Sequence, residues 1–90
     1  MGAIAIRERQ LEKMEHAIGF QFNRVKRRKY TAFRNYYVAP KCDDEDWKYL
    51  VKVGYAEKGE ETEKQIYYHV TREGMDFIER VTGVKITESN

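Results

Sequence analysis

A chain of 90 residues has room for one domain, which buries roughly two-thirds or less of the surface its unfolded form exposes. Its single cysteine excludes an intrachain disulfide and fits a reducing, intracellular setting, and no apolar run approaches membrane-spanning length. The net charge is only +2, but it is lopsided: residues 1–42 carry ten Lys or Arg against three Glu, and residues 43–90 carry seven against twelve acids.

The N-terminus lacks a charged leader followed by an apolar stretch, so no signal peptide is expected. Met1-Gly2 opens like a myristoylation motif, but Ile6 stands where that motif needs Ser or Thr. A cytoplasmic protein with no membrane association is the expectation.

Ile4, Leu11, Ile18 and Val25 recur every seven residues, with Met14 and Phe22 between them. One reading runs a helix from about Ile4 past Val25, with a heptad-like seam that favours a dimer. The other stops it at Gly19, because a mid-helix glycine costs about 1 kcal/mol and glycine suits the left-handed position just beyond a helix. The second is preferred, with Phe20 folding back on Met14 and residues 20–34 forming a separate basic segment.

That segment holds the candidate binding residues Arg24, Lys26, Arg27, Arg28, Lys29 and Arg34, with no acid among them and with Tyr30, Phe33, Tyr36 and Tyr37 interleaved or close behind. Cations suit phosphate contact and aromatic rings suit base stacking. An ordinary solvated surface accounts for the same run about equally well.

Tyr36, Tyr37 and Val38 predict a short strand ended by Pro40. Asp43, Asp44, Glu45 and Asp46 then open a helix, with Asp43 as its N-cap and Cys42 and Trp47 as a hydrophobic staple. Trp47, Leu50 and Val51 share its inner face, and Gly54 ends it. Tyr55 to Lys58 is a strand and Gly59 to Glu63 a polar turn. Ile66, Tyr68 and Val70 alternate with Gln65, Tyr67 and His69 as in a half-buried strand. Thr71 caps a last helix whose buried stripe is Met75, Ile78 and Val81, with Phe77 beside it and Gly83 at its end. Residues 85–90 read as a loose tail anchored only by Ile86.

The order LVKVGY, hairpin, YYHVTREG is similar to the wing and following helix of winged-helix regulators of the multiple-antibiotic-resistance type. With RNYYVAP and DDEDW added, the chain resembles small phage or prophage proteins with a winged-helix-like core. The expected fold is α+β: a winged-helix-like domain over residues 1–84, with three helices and a three-stranded antiparallel sheet in the order α-β-α-β-β-α. The resemblance implies DNA binding through the association of fold with use. Two features depart from it: only one clear helix precedes the hairpin, and it opens on DDED. The wing tip, Gly59 to Glu63, is acidic as well, and carboxylates repel phosphates.

No catalytic, metal or cofactor site is expected. Cys42 and His69 are a possible nucleophile and base, but four acids beside the thiol do not activate it. His16 and His69 have no second ligand at metal spacing. Two functions follow from different classes. One is non-enzymatic nucleic-acid binding through the basic segment, with DNA as partner. The other is a protein-interaction module, docking a partner or a second copy of itself by complementary charge.

Overall fold

The computed structural model describes residues 5–41 and 45–88. The roles assigned to Cys42 and Asp43 lie outside them. Among the described residues, three helices, α1 (Glu8–Ala17), α2 (Glu45–Lys52) and α3 (Arg72–Thr82), are joined by five strands. The strands are β1 (Lys29–Ala32), β2 (Tyr37–Pro40), β3 (Ala56–Glu61), β4 (Gln65–Val70) and β5 (Lys85–Glu88). A single 3₁₀ turn, Phe22–Arg24, lies between α1 and β1. The fold is α+β as expected, with a three-stranded antiparallel sheet in the order β2-β4-β3. Its element order differs from expectation, because a parallel pair, β1-β5, has been added.

Helix α1 starts at Glu8, where the Gln10 side chain reaches back to accept the Arg7 N–H at 2.9 Å. It stops at Gly19, which takes φ +71°. The Gly19 N–H donates to the His16 carbonyl at 3.1 Å and the Phe20 N–H to the Glu15 carbonyl at 2.8 Å, the paired bonds of a Schellman stop. The continuous helix past Val25 is thereby excluded. Phe20 is buried with Met14 in one core.

Strand β2 pairs antiparallel with β4, Tyr37 opposite Tyr68 and Pro40 opposite Gln65. Pro40 is the last residue of β2, as expected, and is tolerated there because β2 is at the sheet edge. The pairing is prolonged by a side chain. Asn35 Oδ1 accepts the Val70 N–H at 2.7 Å and Asn35 Nδ2 donates to the Val70 carbonyl at 2.8 Å.

Trp47 and Leu50 of α2 are fully buried, and Trp47 stacks on Tyr68 with centroids 5.1 Å apart and planes 7° from parallel. Val51 lies at the rim instead, 37% exposed, because Asp46 takes the inner position facing α1. Asp46 there meets Arg9 Nε at 3.0 Å, Lys13 Nζ at 3.2 Å and Gln10 Nε2 at 3.2 Å. Burial alone would raise the Asp46 carboxyl, but the hydrogen bonds from Arg9, Lys13 and Gln10 outweigh it and hold the group below its ordinary value.

Thr71 caps α3 as expected, its hydroxyl accepting the Gly74 N–H at 3.1 Å. The inner face of α3 is Gly74, Met75 and Ile78. Val81, expected in that stripe, is 52% exposed. The close approach is at Gly74, where any Cβ would strike the Tyr55 carbonyl, and Val81 is two turns further along the helix.

The largest correction concerns the tail. Lys85–Glu88 is a strand, parallel to β1, with Ile86 only 1% exposed. Two α3 side chains hold it there. Ile86 donates its N–H to Glu79 Oε2 at 2.8 Å and accepts from Arg72 Nη2 at 2.9 Å, and the two side chains pair with each other at 2.7 Å.

Candidate nucleic-acid interface

The basic segment folds as a tight hairpin. Lys26 and Lys29 exchange both backbone hydrogen bonds, each 2.9 Å, leaving Arg27 and Arg28 as the two central residues of the turn. Both take left-handed backbone conformations, φ 53° and 61°. That is the pattern of a type I′ turn, whose usual occupants are Asn and Gly. Long side chains in this region cost about 1–2 kcal/mol each, so the turn is strained and presents two guanidinium groups at its tip.

The turn leads into β1, whose residues alternate between the two faces of the β1–β5 ribbon. Tyr30 and Ala32 are buried, while Lys29 and Thr31 are exposed. The Tyr30 hydroxyl donates to the Ile18 carbonyl at 2.8 Å, fastening β1 to the end of α1. Burial pushes the Tyr30 phenol above its ordinary value against the opposing pull of Arg24 and Arg34. On the outer face, Lys29 stands opposite Lys85 and Thr31 opposite Thr87, the two threonine hydroxyls 3.2 Å apart. The Lys85 N–H donates to the Arg28 carbonyl at 2.8 Å, joining β5 to the turn itself. Two ammonium groups directly across a strand pair repel each other, so this ribbon face favours an anion between them.

Lys26, Arg27, Arg28 and Lys29 are therefore exposed and gathered on the hairpin turn and the start of β1, with exposed Arg24 on the 3₁₀ turn just before them. Lys85 joins them, a residue the sequence reading placed in the tail. Among the described residues none of these six forms an ion pair, whereas Arg9, Lys13, Lys41, Lys58 and Arg72 all do. Arg34 lies beside Arg24 at the Phe33 ring. It is half-buried, its Nη2 donating to the His16 carbonyl at 2.9 Å, where it meets the negative end of α1.

Aromatic rings flank the cations. Phe22, Phe33 and Tyr36 are exposed, Phe22 by 69% and Phe33 by 54%. The Arg24 guanidinium lies 5.2 Å from the Phe33 ring centre, and that of Arg34 lies 5.6 Å from Phe33 and 6.0 Å from Tyr36. Gly19 leaves room for the Phe33 ring edge, which a Cβ there would approach to 2.6 Å. An open concavity of about 460 Å³ is lined by Arg24, Lys26, Lys29, Tyr30, Thr31 and Phe33.

The start of α2 and the β3–β4 hairpin carry the opposite charge. Glu45 and Asp46 occupy the first turn of α2. Glu57, Glu60, Glu61 and Glu63 are exposed on the β3–β4 hairpin. Hydrogen bonds from Lys58 and Lys41 lower the Glu61 carboxyl to about 2. Among the described residues no cluster of His, Cys, Asp and Glu could hold a metal, and no helix is long and apolar enough to cross a membrane. Compared with known proteins, the chain matches no family model, no curated protein and no solved structure.

Proposed function

We propose that the chain is a small non-enzymatic nucleic-acid-binding protein that holds phosphates on Lys26, Arg27, Arg28, Lys29 and Lys85 of the hairpin turn and ribbon, together with Arg24 of the preceding 3₁₀ turn. It does so on a winged-helix-like scaffold, away from the helix and wing that such scaffolds normally use. The observation that supports this reading is the gathering of six cations without ion pairs among the described residues, two of them placed side by side across β1 and β5. Keeping like charges together costs stability, and a bound polyanion offsets that cost.

A second reading draws on the acidic hairpin. Glu57, Glu60, Glu61 and Glu63 offer a surface complementary to the basic turn, suited to docking a protein partner or a second copy of the chain.

The test is a titration against DNA at two salt concentrations, beside a variant with Arg27, Lys29 and Lys85 changed to Glu. Four or five phosphate contacts give a log–log salt slope of about −3 to −4.5. The variant loses binding while keeping its melting temperature. A flat salt response refutes the reading. A salt-sensitive dimer that takes up no DNA supports the second.

A further inference from the structure

We infer that the ligand of this surface is a single strand, with unpaired bases stacking on Phe33 and Phe22 while the turn and ribbon hold the phosphates. This inference rests on the nucleic-acid reading and narrows its substrate class. Three observations carry it.

The first is the exposure of the rings. Phe22 keeps most and Phe33 about half of its surface in water, so neither ring contributes fully to the core, and Phe33 shares a concavity with Arg24, Lys26 and Lys29. In a duplex the base faces are already occupied by their neighbours, so exposed phenyl rings have nothing to stack on. An unpaired base offers a free face, and stacking on aromatic side chains is sequence-tolerant because every base has one.

The second is the concavity. Its floor and walls combine Phe33 and Tyr30 with Arg24, Lys26 and Lys29, so apolar and cationic groups face one space. A nucleotide has this dual character, flat and apolar at the base, anionic at the phosphate. Thr31 adds a hydroxyl at the same place.

The third is the geometry of the cationic element. It is a two-residue turn followed by a four-residue strand, and among the described residues no helix carries a run of cations without ion pairs. Such a short surface matches a few consecutive phosphates of a flexible strand. Phe33 is also seated: the absent side chain at Gly19 receives its ring edge, and Arg24 lies against the ring. A ring held this way is ordered before the base arrives, which lowers the entropic cost of binding.

The experiment compares four probes of matched charge: a dT oligonucleotide, a U oligonucleotide, a mixed-sequence duplex, and inorganic polyphosphate, which has charge but no bases. Each is titrated against the wild type, Phe33→Ala, Phe33→Trp and Phe22→Ala, with melting curves to confirm folding. The single strands should bind at least tenfold tighter than the duplex. Phe33→Ala should weaken single-strand binding by about five- to a hundredfold. It should leave polyphosphate binding unchanged, and Phe33→Trp should restore or exceed wild-type affinity. Unequal binding of the dT and U strands would identify which sugar the site prefers within the same class. Equal affinity for duplex and single strands, with Phe33→Ala affecting neither, overturns this inference and leaves nucleic-acid binding standing. No binding of any oligonucleotide at low salt overturns both.

Discussion

Replacing Arg27 by Asn and Arg28 by Gly should stabilise the fold and weaken binding at once. Both arginines occupy left-handed backbone, φ 53° and 61°, at a cost of about 1–2 kcal/mol each. Asn tolerates that region and Gly populates it freely, although Gly returns about 0.5–1 kcal/mol through the entropy of the unfolded chain. The net gain is therefore about 1–2 kcal/mol, or roughly 4–16 °C in melting temperature for a domain of this size. The same change removes two of the six cations, so the log–log salt slope for a single strand should become shallower by about 1.4. Thermal melts by circular dichroism and fluorescence-anisotropy titrations read the two effects separately. The control, Lys at both positions, keeps the charge and the strained backbone and should shift neither. A double variant that melts at or below the wild-type temperature would show the turn to be unstrained, and an unchanged salt slope would show that its tip touches no phosphate.

Asn35→Ala should cost about 1–3 kcal/mol in a denaturant melt, because the Val70 N–H and carbonyl both lose their partner. Gly19→Ala should destabilise by about 1–2 kcal/mol from the forced positive φ, and should also weaken single-strand binding by displacing the Phe33 ring. Asp46→Asn should cost about 1–3 kcal/mol at neutral pH, since it removes the charge shared by Arg9 and Lys13. Because the folded Asp46 carboxyl lies below its ordinary value, its contribution is complete above the unfolded value near pH 4. It is lost as pH falls through the folded value. The two proteins' melting temperatures should accordingly converge in strong acid, and a gap that persists there would assign the loss to packing.

The parts of this fold that can be read from sequence are those decided within a few residues. The stop at Gly19, the cap at Thr71 and the inward Tyr68 and Val70 of β4 each depend on near neighbours, and each is found, although Ile66 is only half-buried, like Tyr67. Strand β5 could not be read that way. Only Ile86 marks it as apolar, and its backbone is held by Arg72 and Glu79, charged residues that look like ordinary helix surface. Val51 and Val81 were misplaced because spacing alone does not reveal which edge of a helix face the neighbours cover. The same division runs through the candidate site. Arg24 to Lys29 stand out because they are contiguous. Lys85 reaches them only through the parallel pairing with β1, and Arg34 is held beside Arg24 at the Phe33 ring by a carbonyl at the end of α1.

Two features of the basic face have a common consequence. The left-handed arginines and the opposed Lys29 and Lys85 both lower the stability of the unliganded protein, and neither is required by the core beneath them. Tyr30 and Ile86 would pack equally well under a neutral ribbon with an Asn-Gly turn. A ligand that neutralises the ribbon relieves the repulsion between Lys29 and Lys85 in the folded state alone. Binding and folding stability are then coupled, and a polyanion at a hundred times its dissociation constant adds about 2.7 kcal/mol to the unfolding free energy. The coupling is local: the increase should shrink when Lys85 becomes Gln and stay intact when Lys64, on the far β3–β4 hairpin turn, is changed in the same way. Equal stabilisation of all three proteins would mean that the polyanion is held by diffuse charge, and that the ribbon is not its seat.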